Sequence, residues 1–361
     1  MAMPLQRGQT IGILGGGQLG RMLAMAAAKL GFKTHIFAPS GDNPAFEVAD
    51  ARTEAAFNDK PALLAFAQAC QVVTYEWENV PVDVCDLIQQ TTPVYPTANV
   101  LRITQDRIAE KTFISGLGLA VPDFHPAGSL QELEEATSHI GRPAVLKTRR
   151  FGYDGKGQTR IHEDTDLAEA WSAIGHQPAI VEAFIPFERE VSVIAARGLD
   201  GSVACYDLPE NAHENGILRS STLPSRIKTD TAAQARDMAS KLLEALNYVG
   251  VMGLELFVVN KNGNETLVVN EIAPRVHNSG HWTEAACHVS QFEQHIRTIA
   301  GWPLGDTRRH SDCVMENLLG DEILACRDLA GLSGTVVHDY GKAESRTGRK
   351  MGHVTRLKLE K

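Results

Sequence analysis

No apolar run in this 361-residue chain approaches the ~20 residues needed to span a bilayer. The most apolar stretch, residues 22–30, is Ala-rich and stopped by Gly31. A membrane span is therefore excluded. Basic charge is also short: 35 Lys and Arg stand against 44 Asp and Glu, a formal net charge of −9. That balance argues against nucleic acid or an anionic membrane as the main partner, because both need a net basic face. Six cysteines (Cys70, Cys85, Cys205, Cys287, Cys313, Cys326) include no CxxC pair, so neither a zinc site nor a disulfide framework is indicated, and they read as buried or incidental thiols. Residues 1–7 lack the charged, apolar, small-residue pattern of a secretory signal, and a cytoplasmic location is expected. There is no repeat and no low-complexity segment. What remains is an ordinary globular composition, 43% hydrophobic and 22% charged, at a length that favours two or three domains.

The expected fold is α/β. An apolar run at residues 10–14 meets Gly15-Gly16-Gly17-Gln18-Leu19-Gly20, a helical stretch follows over 21–30, and residues 33–37 read as a second strand. Strand, glycine turn, helix, strand is a βαβ unit with a parallel sheet. A further strand, 72–75, delivers Glu76 to its carboxyl end, where open α/β sheets place ligands. The Pro-containing segment 92–96 closes a first domain, read as 1–103. Beyond it, helices alternate with strand-like segments at 144–147, 158–161, 179–185, 190–196, 251–259 and 265–272, whose Gly-rich or Asn-Gly turns suggest antiparallel pairing. After Trp302-Pro303 come two short strand-like stretches and a basic cluster. The expected division is 1–103, 104–300 and 301–361, with a lid around 120–195 in the second domain.

Gly15, Gly17 and Gly20 match GxGxxG, a turn whose amides and helix N-terminus can hold a phosphate. Dinucleotide binding also requires an acidic residue at the end of the second strand, and here that strand runs out as Ile36-Phe37-Ala38-Pro39 with only Asp42 nearby. An NAD-dependent oxidoreductase is thereby reduced to a runner-up. A second glycine set, Phe151-Gly152-Tyr153-Asp154-Gly155-Lys156-Gly157-Gln158, joins two strands, lacks GK[ST], and suits a hairpin loop closing over phosphates, with Lys147 just before it.

Glu255 and Glu271 lie in apolar strands joined by residues 261–264. A three-residue loop at 262–264 would put the two carboxylates directly opposite each other; a two-residue Asn262-Gly263 turn would oppose Glu255 with Asn270. Either arrangement supplies hard oxygen ligands suited to magnesium bridged to phosphates, and paired carboxylates need a cation between them. Residues 273–281 (APRVHNSGH) follow at once, rich in anion donors. Lys342, Arg346, Arg349, Lys350, Arg356 and Lys358 crowd the tail and form a candidate anion site in an acidic chain.

Together these segments resemble the ATP-grasp superfamily, and more closely its 5-(carboxyamino)imidazole ribonucleotide synthase family. The likeness runs nearly the whole chain through GGGQLG (15–20), YEWENV (75–80), TQDR (104–107), FGYDGKGQ (151–158), ExxI (182–185), Glu190, GLELF (253–257), NEIAPRVHNSGH (270–281) and GRKMGH (348–353). Phe151 stands where the family loop commonly opens Gly-Gly. The resemblance implies an N-terminal parallel-sheet domain, a central ATP-grasp domain with a lid, a small C-terminal β-rich domain, and a homodimer. It implies joining of ATP, bicarbonate and aminoimidazole ribonucleotide through carboxyphosphate, giving the carbamate, ADP and phosphate in de novo purine biosynthesis. Arg107, Lys147, Gly152, Tyr153, Asp154, Gly155, Lys156, Gly157, Gln158, Glu182, Ala183, Phe184, Ile185, Glu190, His213, Asn270 and Glu271 would contact ATP. Glu255, Glu271 and Asn270 would hold Mg2+. Gln18, Leu19, Glu76, Tyr153, Asp154, Lys156, Arg275, His277, Lys342, Arg349 and Lys350 would contact the ribonucleotide or bicarbonate, with Asp154, Lys156 and Arg275 in catalytic positions. Besides the NAD enzyme, the alternatives are another ATP-grasp carboxylate-amine ligase, and a nucleotide-binding regulatory protein without turnover, which the magnesium pair argues against.

Overall fold

The computed structural model describes residues 3–152 and 155–358. Strands β1 (Thr10–Leu14), β2 (Lys33–Ala38), β3 (Ala51–Glu54) and β4 (Val72–Tyr75) form a parallel sheet in the order β3-β2-β1-β4. Both faces are covered, which is why β1 and β4 read as unbroken apolar runs rather than alternating ones. Ile11, Ile13 and Ile36 pack on one side with Met22 and Leu23 of the helix Gln18–Lys29, and Leu14, Phe37 and Tyr75 pack on the other with Phe66 and Val84.

A second sheet, antiparallel in the order β5-β8-β6-β7, comprises β5 (Phe124–Ala127), β6 (Ala144–Thr148), β7 (Gln158–Ile161) and β8 (Ala179–Ala183). It carries its own small core of Leu133, Leu146, Ile161 and Trp171. β6 and β7 pair as an antiparallel hairpin, Lys147 opposite Gln158, joined by the glycine loop.

The third sheet contains β9 (Arg189–Arg197), β10 (Val203–Cys205), β11 (Glu210–Glu214), β12 (Ile217–Leu223), β13 (Gly250–Lys261), β14 (Asn264–Ala273), β15 (Cys313–Leu319), β16 (Thr335–Asp339) and β17 (Lys350–Leu357). Its main path is β14-β13-β9-β11-β12-β15-β17-β16. β12 pairs with β15, so the C-terminal strands extend the central sheet rather than forming a separate one, and three strands stand where the sequence suggested two. β11 and β12 were not legible as strands because ENAHE and ILRSSTL lack clean alternation. Their Asn215-Gly216 turn, with φ 52° and 78°, was the available signal.

The helix Gln291–Ile299 is buried between the parallel and central sheets, and its polar side chains are all used. His295 shares a 2.8 Å hydrogen bond with Thr74 and accepts one from the Val251 N–H at 3.1 Å. Gln291 holds the backbone of His277 from both sides, accepting from its N–H at 2.9 Å and donating to its carbonyl at 2.7 Å. The 275–281 segment is thus fixed from beneath. All six cysteines are free, and burial drives the Cys70, Cys85, Cys287 and Cys313 thiols up to about 12, so they are inert. Among the described residues no helix is long and apolar enough to cross a membrane.

Candidate active site

The β13–β14 hairpin turns at Asn262-Gly263, both with positive φ. From that turn down to Leu256 opposite Val269 the register is that of a two-residue loop, which continued would oppose Glu255 with Asn270. A bulge then leaves Asn270 unpaired, and Glu255 lies opposite Glu271. The bulge therefore brings all three oxygen-bearing side chains to one place. Asn270 Nδ2 donates to Glu255 Oε2 at 3.3 Å, while Asn270 Oδ1 is buried with no hydrogen-bond partner. Burial and the facing Glu271 push the Glu255 carboxyl up. Burial acts the same way on Glu271, but the Arg107 guanidinium, donating to it at 2.9 Å, holds it below the usual range.

Arg107 opens the helix Arg107–Gly116, capped by Asp106, whose carboxylate accepts from the Ile108 and Ala109 amides and from Arg149. Arg107, Glu110 and Lys111 are spaced i, i+3, i+4 and share one helix face. Glu110 accepts the Ile272 N–H at 2.7 Å, and burial raises its carboxyl to about 7. Lys111, 0% exposed, donates to the Asn270 carbonyl at 3.0 Å and lies 3.3 Å from Glu182. Lys147 donates to the other Glu182 oxygen at 2.8 Å. Burial would raise Glu182, but Lys147 and Lys111 together bring it to about 2. Glu190 on β9 pairs with His213 on β11, and the two line a small recess with Glu255 and Asn270. Burial lowers His213, but the bond from Glu190 leaves it above its ordinary value. Three cations and three carboxylates (Arg107, Lys111, Lys147; Glu110, Glu182, Glu271) thus form one network.

The lid loop lies over this network. A Cβ on Gly152 would stand 3.3 Å from Arg107 Nη2. Gly155 and Gly157 have φ of 75° and 71°, and a side chain there would stand 2.9 Å from the Asn215 carbonyl and 2.6 Å from Thr148 Oγ1, so both positions need glycine. Lys156 and Gln158 are exposed on it; Tyr153 and Asp154 fall outside the described residues. Ala183 ends β8, and Phe184 beyond it lies under the Arg160 guanidinium at 5.6 Å, followed by a half-buried Ile185.

A second compartment, a cavity of about 750 Å³, opens at the carboxyl ends of the parallel strands and is lined by Gly15, Gly16, Gly17, Asp42, Glu76, Trp77 and Arg349 among others. The glycine turn does not offer its amides freely: the Gly17 and Gly20 N–H groups donate to the two Glu76 oxygens at 2.7 and 3.1 Å. A Cβ on Gly15 would come within 2.5 Å of Glu76. Two amides of the turn are thus taken by a carboxylate of the same chain, which counts against a dinucleotide phosphate resting on them. Burial raises Glu76 despite those bonds. The Leu19 side chain, 8% exposed, belongs to the core, leaving its backbone for a ligand, while Gln18 is half-buried at the helix start.

Arg349 Nη2 donates to Asp42 Oδ2 at 2.8 Å at this cavity, and Lys342 Nζ donates to the Lys350 carbonyl at 2.6 Å. Burial, reinforced by Arg349, lowers the Lys342 ammonium to about 8. The remaining tail cations disperse: Arg346 pairs with Glu344 and Arg356 with Glu316. Arg275 forms a bidentate pair with Glu78, and His277 Nε2 stands 3.3 Å from Glu255 Oε1. Burial and Arg275 depress His277 to about 3, so its imidazole is neutral. The segment 275–277 therefore touches both compartments. Glu78, Glu110, Lys111 and Asp106 escaped the sequence reading; the i, i+3, i+4 spacing from Arg107 was the signal for Glu110 and Lys111.

Two linked compartments, one of paired cations and carboxylates under a glycine loop and one at the switch of a parallel sheet, define an ATP-grasp ligase, and the comparisons agree. A model of the ATP-grasp domain matches residues 112–292, one of the ribonucleotide synthetase preATP-grasp domain matches 8–105, and one of the phosphoribosylaminoimidazole carboxylase C-terminal domain matches 313–361. The N5-carboxyaminoimidazole ribonucleotide synthase of Brucella melitensis is 53% identical over 356 residues, 98% of each chain. The N5-carboxyaminoimidazole synthetase of Staphylococcus aureus complexed with ADP superposes with a TM-score of 0.93 at 35% identity, covering 99% of this chain and 95% of that one. The Aspergillus clavatus synthase, in complex with ADP and 5-aminoimidazole ribonucleotide, gives 0.90 at 26%, covering 97% and 94%. The chain belongs to the N5-carboxyaminoimidazole ribonucleotide synthase family.

Proposed function

We propose that this chain carboxylates the exocyclic amine of 5-aminoimidazole ribonucleotide with bicarbonate and ATP, releasing ADP and phosphate, with the first compartment holding ATP and the second the ribonucleotide. The observation that carries this division is the 275–277 segment, in which Arg275 is bonded to Glu78 beside the cavity and His277 Nε2 stands 3.3 Å from Glu255 beside the cation network.

The residues fit magnesium: two opposed carboxylates and a buried, unpartnered Asn270 Oδ1 are hard oxygen donors, so Glu255, Glu271 and Asn270 would hold it. When bound, the ion supplies neutralisation of charge on the transferring phosphoryl group. Arg107 and Lys147 place fixed cations at the same phosphates, and Glu182, itself paired with Lys111, holds the Lys147 ammonium in position. Lid-loop amides at Gly152, Gly155 and Gly157 cover the nucleotide, Glu190 and His213 contact it, and Ala183, Phe184 and Ile185 follow the strand end beside it.

Bicarbonate attacks the γ-phosphorus of ATP, ADP leaves, and the resulting carboxyphosphate transfers its carbon to the amine as phosphate departs. That intermediate hydrolyses unless water is excluded, which the lid provides. Arg275 offers its guanidinium to bicarbonate or carboxyphosphate, Lys156 approaches on the loop, the family resemblance adds Asp154 to this set, and neutral His277 orients the Glu255 side of the site. Lys342, Arg349 and Lys350 bind the ribonucleotide phosphate, with Glu76, Gln18 and the Leu19 backbone at the rim. A cytoplasmic homodimer is part of this reading, the dimer resting on the family resemblance. ADP release, with each substrate omitted in turn, tests the reading: ADP should require the ribonucleotide and rise with bicarbonate. ATP-independent NADH oxidation with a hydroxy or keto acid would overturn it.

A further inference from the structure

The histidines that end the NSGH and MGH motifs, His281 and His353, take no part in the chemistry above, yet they lie together. β16 and β17 pair so that His338 stands opposite His353, their rings stacked at 5.2 Å between centroids. Glu284, on the single-turn helix Thr283–Ala286, reaches the same point: its Oε2 is 3.1 Å from His338 Nδ1 and 3.8 Å from His353 Nε2. All three donor atoms lie within 4.8 Å of one another. We propose that Glu284, His338 and His353 bind a divalent transition-metal ion of the zinc class.

Two further observations support a ligand at this point. Glu284 Oε2 is buried and accepts no hydrogen bond, a state that is costly for a carboxylate oxygen and that a cation removes. His353 Nδ1 shares a 3.0 Å hydrogen bond with the buried Tyr340 hydroxyl, which orients the ring and leaves Nε2 toward Glu284, as an outer partner does for a metal-bound imidazole. His281 packs against His353 at 5.0 Å but is tied by Nδ1 to Gln291 at 3.0 Å, so it shapes the pocket instead of completing the ligand set.

Bonds of about 2.0–2.2 Å in a tetrahedron separate neighbouring donors by roughly 3.3 Å. The observed 3.1 and 3.8 Å lie on either side of that value, so small side-chain adjustments close the site. Two imidazoles and one carboxylate suit zinc-class ions over magnesium and leave a fourth position for water. Bound there, the ion ties the helix beyond the 275–281 segment to the C-terminal strands.

Chelator-treated full-length protein titrated with cobalt(II) in excess magnesium tests this. Expected is visible ligand-field absorption saturating at one ion per chain and displaced by zinc. His338→Gln and Glu284→Gln should each weaken binding at least tenfold, and Tyr340→Phe by roughly 10–100-fold. Zinc should raise the wild-type melting temperature and leave that of His338→Gln unchanged. Absence of the cobalt band in wild type, or an unchanged band in folded His338→Gln and Glu284→Gln, overturns the assignment. Should one variant fail to fold, the other and Tyr340→Phe decide.

Discussion

Glu271→Gln separates the fold from the chemistry. With Arg107 Nη1 2.9 Å from Glu271 Oε2, the charge centres are about 4 Å apart, an attraction of about 4 kcal/mol at an effective dielectric of 20. Glu255 lies directly opposite with Cβ atoms about 5 Å away, a repulsion of about 3 kcal/mol on the same scale. A neutral, isosteric glutamine removes both, so the net loss is about 1 kcal/mol, and solvent reaching the 36% exposed Glu271 side chain screens both terms further. The melting temperature should fall by no more than about 2–4 °C. Turnover should fall at least ~100-fold, because a ligand should matter no less than the outer-shell partners whose loss costs 10–100-fold. ADP release across a magnesium titration, paired with thermal unfolding, measures both. Wild-type activity at limiting magnesium would refute the ligand role; destabilisation beyond about 3 kcal/mol would refute the cancellation.

Replacing Lys342 and Arg349 by alanine should raise the KM for the ribonucleotide by about two orders of magnitude or more and leave that for ATP nearly unchanged, since each charge-assisted phosphate contact contributes roughly 1.5–3 kcal/mol; equal losses for both substrates would remove the tail from the phosphate site. With the Lys342 ammonium lowered to about 8, the protonated, phosphate-binding form is lost as pH rises through that value, so the ribonucleotide KM should climb above about pH 8. Lys342→Arg should move that limb upward, and a flat profile in wild type would count against the role. Glu182→Ala leaves Lys111 and Lys147 without their shared partner and should cost roughly 3–5 kcal/mol in urea unfolding. Because its folded value is depressed to about 2 from 4.5, the Glu182 contribution is present above about pH 4.5 and lost as pH falls toward 2, and the variant's stability should lack that part of the acid slope.

The unbroken apolar runs of β1 at 10–14 and β4 at 72–75 were legible to the residue, and so was β7 at 158–161, from its place after the glycine loop rather than from its polar sequence. β11 and β12 were not, because their stability comes from pairing with β9 and β15 rather than from their own pattern. Glu255, Asn270 and Glu271 stood out as polar residues in apolar strands, which is a local signal. Whether Glu255 faced Asn270 or Glu271 was undecidable locally, since the turn and the bulge together set the register.

Residue types and their spacing alone determined the βαβ start, the glycine loop, the carboxylate hairpin and the class of chemistry, because periodicity and turn propensity act over a few residues. Tertiary structure alone decided which charges meet. Glu76 satisfies the glycine turn 56 to 59 residues away, Arg107 reaches Glu271 across 164, Arg275 reaches Glu78 across 197, and Arg349 reaches Asp42 across 307. Such pairs depend on burial and on the docking of whole sheets, and no short-range pattern encodes them. The same docking placed Leu19 in the core and sent Arg346 and Arg356 to other partners, although one-dimensional charge clustering had grouped those arginines with Arg349.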